Sequence, residues 1–428
     1  MDGFSKPALV AAAVVLALAA TGCWPAPGQG PDRSAYNPFE TVITPATVRS
    51  LAPVWTATMD VDGGRVGPPV VSNADVHVSD STMIHTFDAA TGAERWHYPE
   101  TPVVAGAVGD PFVDGDRVLF TDGITVGFGG AWVSDTAWLD ARTGVFQEDV
   151  PSNRVTGRRG SWLASYSRGG SPASGISLFS LQVQDLADPT FGWNRIVHFG
   201  SAPAPARPAT LGRERLYYAG TATTSYVPLV DVVGVRAFPL TPPAPCALPP
   251  EGIVLSPIPC PLWATPTAGM PVTSPVLAPD ESVLYVGTDD GTLLALDAAD
   301  GHVLWSAALG AAPSADPALA EGWVYVALED GDLVALPAGG CGAAACDVAW
   351  RADVGAPGVQ PAVAGGLVFV GTDAGRVVAL RAAGCGRPTC HPLWHRNFGA
   401  PITGAPAVSN GRLYVGVSPN QVVALAPS

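Results

Sequence analysis

The sequence predicts an all-β fold, a β-propeller of eight four-stranded antiparallel blades closed into a ring by its own N-terminal strand. Three observations carry this. A unit of 44–45 residues recurs in the C-terminal half, with Trp305, Trp350 and Trp394 closing successive copies. Each copy holds four short β-prone runs separated by Asp-Gly, Glu-Gly or Ala-Gly turns, the make-up of a propeller blade. Finally, the last unit lacks a fourth strand, while Leu51 to Ala57 is a fourth strand with no unit before it.

The repeats are clearest from Ser274 onward. One runs Pro275-Val276-Leu277, Val283-Leu284-Tyr285-Val286, Leu293-Leu294-Ala295-Leu296 and Val303-Leu304-Trp305. The next runs Pro317-Ala318-Leu319, Val324-Tyr325-Val326, Leu333-Val334-Ala335-Leu336 and Trp350. The third runs Pro361-Ala362-Val363, Val368-Phe369-Val370, Val377-Val378-Ala379-Leu380 and Trp394. Apolar runs without alternation fit strands covered on both faces, as blades are by their neighbours. Dipeptides such as Asp290-Gly291 and Asp330-Gly331 suit tight hairpins; none extends into a calcium-liganding loop. Counting closing positions Trp55, Trp96, Phe146, Trp193, Trp263, Trp305, Trp350 and Trp394 gives eight blades. The poorly periodic stretch 151–271 leaves seven open. Pairing Leu51–Ala57 with the last unit would remove an exposed sheet edge.

The N-terminus reads as an export signal over residues 1–22. Lys6 precedes an apolar run from Ala8 to Ala20, too short for a transmembrane helix, which needs about 20 residues. Ala20-Thr21-Gly22-Cys23 resembles a bacterial lipobox, so Cys23 is expected to carry a lipid and hold the protein on the extracytoplasmic face of the cell membrane. Residues 23–45, rich in Pro and Gly, read as a flexible tether, and 46–428 as the propeller. The net charge of −15 argues against nucleic acid and against a basic patch for anionic lipid. The expected partner is an unidentified protein or cell-envelope component, and the expected state a monomer.

At Asp88-Ala89-Ala90-Thr91-Gly92-Ala93-Glu94-Arg95-Trp96 and at Asp297-Ala298-Ala299-Asp300-Gly301-His302-Val303-Leu304-Trp305 the chain resembles the tryptophan-docking repeat of PQQ quinoproteins. Its opening, Tyr36-Asn37-Pro38-Phe39-Glu40-Thr41 to Val54-Trp55, is similar to that of the same superfamily. The resemblance implies the blade architecture over about 390 residues. It reaches both quinone dehydrogenases and cofactor-free propellers, the latter including an outer-membrane-assembly scaffold lipoprotein and actinobacterial lipoproteins, which this chain resembles most. The dehydrogenases hold PQQ beneath a ring formed by two adjacent cysteines. No Cys-Cys pair occurs here, so neither PQQ nor any other cofactor is expected, and a PQQ- or quinone-dependent oxidoreductase is the alternative reading.

Beyond Cys23 the cysteines fall into close pairs, Cys246 with Cys260, Cys341 with Cys346 and Cys385 with Cys390, and an even count in an exported chain predicts disulfides. Cys385-x4-Cys390-His391 also matches a rare spacing of the haem-attachment motif. A zinc site through His391 and His395 fails because alternate strand positions two pairs apart hold them about 13 Å from each other. The remaining histidines show no metal spacing, so no metal and no catalytic residue is expected. In a propeller the first strand of each blade lines the axis, and the residues before its proline sit at one mouth of the channel. Among these, Asp110, Ser274, Asp316 and Gln360 are the polar candidates for binding a ligand.

Overall fold

The computed structural model describes residues 23–428 except 27, 29, 61–63, 73, 81, 101–107, 127–131, 151–153, 172–175, 189–191, 201–207, 227–228, 242–244 and 248–257. Eight antiparallel sheets follow one another in chain order, and each is one blade. Blade 1 comprises Val70–Ser72, Asp75–Ser79, Ile84–Asp88 and Glu94–Tyr98. Blade 2 spans 112–150, blade 3 154–200 and blade 4 210–266; blades 5, 6 and 7 span 276–308, 318–353 and 362–397. Blade 8 joins Ala407–Ser409, Arg412–Val417 and Gln421–Pro427 to Leu51–Thr58. The ring therefore has eight blades. It closes through the N-terminal strand, with Leu51 opposite Pro427 and Thr58 opposite Gln421.

Tryptophan and glycine set the spacing between blades. Trp55 of blade 8 lies against the turn of blade 1, where its indole N–H donates to the Ala89 carbonyl at 3.0 Å. Trp96 does the same to Ala141 of blade 2 at 3.0 Å. The turn glycine under each ring has to be glycine. Gly92 has φ +74°, and a Cβ there would sit 2.6 Å from the Trp55 ring. Phe146 does not close blade 2 as expected. A bulge at Gln147 puts Glu148 opposite Trp138 and leaves Phe146 exposed.

The disulfides lie on the rim. Cys341–Cys346 and Cys385–Cys390 are both bonded. The first clips a loop whose Ala345–Cys346 pairs parallel with Ser306–Ala307 on the outer strand of blade 5. The second holds Thr389 beside Arg351 of blade 6, where the Arg351 N–H donates to the Pro388 carbonyl at 2.8 Å. Each loop thus covers the edge of the preceding blade, where unpaired backbone would otherwise face solvent. Cys260 is disulfide-bonded too, and Pro245–Ala247 pairs with Ile258–Pro259 beside it. The Cys246 side chain lies outside the described residues.

The expectation of a flexible tether is corrected. Trp24 and Ala26 are buried, and the described residues from Cys23 to Asn37 line the channel. The segment is hydrogen-bonded to the innermost strands of seven blades. Trp24 and Val71 exchange two backbone bonds at 2.8 Å. The carbonyls of Pro25, Pro31, Asp32, Ser34 and Ala35 accept from the N–H groups of Val113, Leu211, Leu277, Leu319 and Val363 at 2.7–3.2 Å. The Asn37 amide donates to the Val408 carbonyl at 2.8 Å. Tyr36–Asn37 continues as a fifth, parallel strand of blade 7. The proline content that suggested a tether has another use here. Proline brings a carbonyl acceptor and no N–H, so it can be buried against a row of donors without orphaning a donor of its own. The propeller body therefore begins at Cys23, not at residue 46. Residues 1–22 lie outside the described residues, and among the described ones no helix is long and apolar enough to cross a membrane.

Candidate functional site

The four polar residues predicted at the channel mouth fall into two groups. Asp316, Ser274 and Gln360 are brought together by the N-terminal segment. Arg33 of that segment donates to the Asp316 carboxylate through Nη2 at 3.0 Å and Nε at 3.3 Å, and both side chains are nearly buried. The second Asp316 oxygen accepts the Ser274 N–H at 2.7 Å. Gln360 Nε2 donates to the carbonyls of Arg33 at 3.2 Å and Pro317 at 3.1 Å. Asp316 thus holds the Arg33 side chain and Gln360 the Arg33 backbone, while Ser274 takes part through its backbone N–H. Asp110 stands apart, accepting the Ser79 hydroxyl at 3.3 Å. It lines a 110 Å³ cavity with Arg33, Phe112, Thr121, Thr156 and Tyr166.

Among the described residues, the segment from Trp24 to Asn37 runs along the inner strands, and Asp316 and Gln360 are committed to it; the 110 Å³ cavity beside Asp110 is smaller than the ~300–1,000 Å³ of ordinary ligand pockets. The described cysteine pairs lie on the rim, each bridging five positions. The Cys385–Cys390 bond also occupies the sulfurs that the haem-attachment reading needed.

A second cluster, on blade 1, escaped the sequence reading. His85 and His97 face each other across the third and fourth strands, their ring centroids 5.9 Å apart. Register explains how Glu94 joins them. Thr86 and Phe87 are consecutive, yet their partners Trp96 and Glu94 are two apart, so Arg95 is an extra residue on the outer strand. That bulge turns Glu94 and His97 to one face, while Arg95 reaches away to Asp75 and Asp88. Glu94 Oε1 lies 2.9 Å from His85 Nδ1 and 3.3 Å from His97 Nδ1.

Behind His85 stands Asp80, fully buried. Its Oδ1 accepts the N–H groups of Thr82 and Met83 and the Thr82 hydroxyl at 2.7–2.8 Å, while Oδ2 faces His85 Nε2 at 3.4 Å. Burial pulls the His85 pKa down, but hydrogen bonds and charge from Asp80 and Glu94 outweigh it and leave the pKa raised. Burial would raise the Asp80 carboxyl, but its hydrogen bonds with His85, Thr82 and Met83 outweigh it and hold the pKa below its ordinary value. His77, between Ser72 and Thr86 in the same blade, has no carboxylate near, and burial lowers it to about 3.

Fold and channel together define a closed eight-bladed propeller of the PQQ-repeat class whose inner strands are lined by its own N-terminal segment. The sequence places it further: the chain belongs to the PQQ_2 family, described as outer membrane protein assembly factor BamB, which matches residues 45–147, 261–340 and 342–428. No curated protein sequence matches it. Among solved structures, the quinohemoprotein alcohol dehydrogenase of Comamonas testosteroni aligns with TM-score 0.64 at 16% identity, covering 95% of this chain and 81% of that one. BamB of Moraxella catarrhalis aligns with TM-score 0.56 at 17% identity, covering 88% and 97%. A europium-containing methanol dehydrogenase aligns with TM-score 0.64 at 13% identity, covering 95% and 98%. Identities this low establish the shared fold.

Proposed function

We propose that this protein is a non-catalytic binding or scaffold propeller, anchored by a lipid on Cys23 to the outer face of a bacterial membrane. The observation that carries the reading is the N-terminal segment bonded along the inner strands of the channel. Where a propeller enzyme can seat a cofactor, this chain seats backbone, so its outer faces and rim are the surfaces left for a partner. The family match, described as an outer membrane assembly factor, supports the same reading. The quinone-oxidoreductase alternative rests on fold likeness alone.

Cys23 is half-buried. Trp24 pairs antiparallel with Val71, which puts Cys23 toward the Ser72 end of that strand, at the mouth opposite Asp110, Ser274 and Asp316. A lipid there would hold that mouth close to the bilayer and turn the Asp110 face outward. Two measurements test the proposal. Replacing Cys23→Ala should move the protein from the membrane fraction to the soluble one. Titration of the purified protein with PQQ and calcium should produce no new absorption band. A saturable quinone band together with dye-linked alcohol oxidation would overturn the non-catalytic reading.

A further inference from the structure

We infer that His85, Glu94 and His97 form a binding site for one late first-row divalent cation of the zinc class on blade 1. Their ligand atoms, two imidazole nitrogens and a carboxylate oxygen, all lie within 4.8 Å of one another. The 2.9 and 3.3 Å separations to Glu94 are the spacing of donors that share one small cation at about 2.0–2.2 Å each.

Three features separate the cluster from an ordinary surface ion pair. The first is the internal repeat. The position of His85, one residue before the one that faces the docking position, is occupied by Ala137, Leu294, Val334, Val378 and Val423 in blades 2, 5, 6, 7 and 8, and by Gln182 and Arg236 in blades 3 and 4. Only blade 1, among these, places a histidine there, and it surrounds that histidine with Asp80 and Glu94. Second, Asp80 plays the part that carboxylates play behind metal-bound histidines. Held by three hydrogen bonds, it faces Nε2, which fixes the proton there and turns the Nδ1 lone pair toward Glu94 and His97. Third, Nδ1 then faces a carboxylate that can only accept. A divalent cation placed between them would engage both, and His97 as well.

Glu94 and His97 are partly exposed while His85 and Asp80 are buried. The cation would thus be held from within by a rigid ligand and reached from solvent, with a fourth position open to water. Two nitrogens and one oxygen suit zinc and its late neighbours better than calcium or magnesium, which take oxygen ligands. The site does not depend on the scaffold reading, because its residues touch neither the channel nor Cys23.

The test uses the chelator-treated full protein and two probes, Zn2+ by calorimetry and Co2+ by its visible absorption, at pH 8. One ion per chain is expected. His97→Ala and Glu94→Gln should abolish binding without changing the fold, since both side chains lie at the surface. Asp80→Asn should weaken it about 10–100-fold through the orientation of His85. His302→Ala, in the exposed turn group Asp297, Asp300 and His302, should change nothing. Lowering the pH through the imidazole range should release the ion, because two histidines must give up protons to bind it and Asp80 and Glu94 both favour the protonated form of His85. Absence of stoichiometric binding by the wild type would overturn the inference, as would binding that survives His97→Ala or Glu94→Gln.

Discussion

Replacing Asp316→Asn tests whether the N-terminal segment is a structural part of the ring. The wild-type carboxylate receives two guanidinium bonds from Arg33 on one oxygen and the Ser274 N–H on the other, with side chains only 11% and 13% exposed. Asparagine keeps the shape and one acceptor. It removes the charge and leaves Arg33 as a nearly buried cation facing an amide. Breaking one member of a buried pair costs about 3–5 kcal/mol. Water still reaches the rim of this pair, so we expect the lower end, about 3 kcal/mol, more than a hundredfold in the folding equilibrium. Urea unfolding followed by tryptophan fluorescence measures the loss. Limited proteolysis between residues 24 and 37 reports where it occurs: resistant in the wild type, cleaved in Asp316→Asn. The double variant Arg33→Met/Asp316→Leu should recover most of the stability, since an apolar pair can replace a buried ion pair. Rapid cleavage of the wild-type segment under native conditions would refute the argument. So would an Asp316→Asn variant within about 0.5 kcal/mol of wild type, the ordinary range of surface substitutions.

Further expectations concern blade spacing, the rim and pH. Gly92→Ala would drive a methyl group into the Trp55 ring at a positive φ; a loss of about 1–3 kcal/mol is expected by thermal or urea unfolding, and an unchanged midpoint would mean the rings do not set the gap. Converting Cys341 and Cys346 to serine opens a loop of only five positions, so the chain-entropy cost is about 2 kcal/mol, readable as a lower urea midpoint for the variant than for the oxidised wild type. The histidines of blade 1 should give opposite pH slopes. His77 refuses a proton until pH falls to about 3, so its contribution is intact above the unfolded value near 6.5 and lost as pH drops below it. His85 is raised, so its contribution is full below about 6.5 and lost as pH climbs through its folded value. Unfolding free energies of His77→Gln and His85→Gln across pH 4–9, taken without metal, should each lack one of these slopes.

The parts of this fold legible in the sequence are those written in period and turn chemistry. Tryptophans every 44–45 residues and Asp-Gly turns mark blades 5 to 7, and the unmatched strand at Leu51 announces ring closure. Blade 2 was misread at Phe146 because a one-residue bulge shifts register without altering composition. The channel segment was illegible for a different reason. It binds through backbone carbonyls, and a row of carbonyls has no side-chain signature, so Pro25 and Pro31 look the same in a tether as in a channel. Asp316 and Gln360 stand just before their blades' prolines, a position the repeat marks, but their partner, Arg33, lies 283 positions from Asp316. His85 and His97 are twelve positions apart, no standard ligand spacing, and only the hairpin and the bulge at Arg95 bring Glu94 between them.

The channel segment also orders events in time. Synthesis delivers the N-terminal segment first, yet many of the groups that receive it are made late: Leu277, Leu319, Val363 and Val408 for the segment, then Gln421–Pro427 for the closing strand. The first residues to emerge are thus among the last to settle, and such long-range pairings are slow to form. Until they do, the ring stays open, with a bare strand edge on blade 8 and the inner N–H groups of six blades and the Val408 carbonyl of blade 8 facing water. A nascent chain in that state is the form most exposed to aggregation and proteolysis, and a truncation at either end would trap it there.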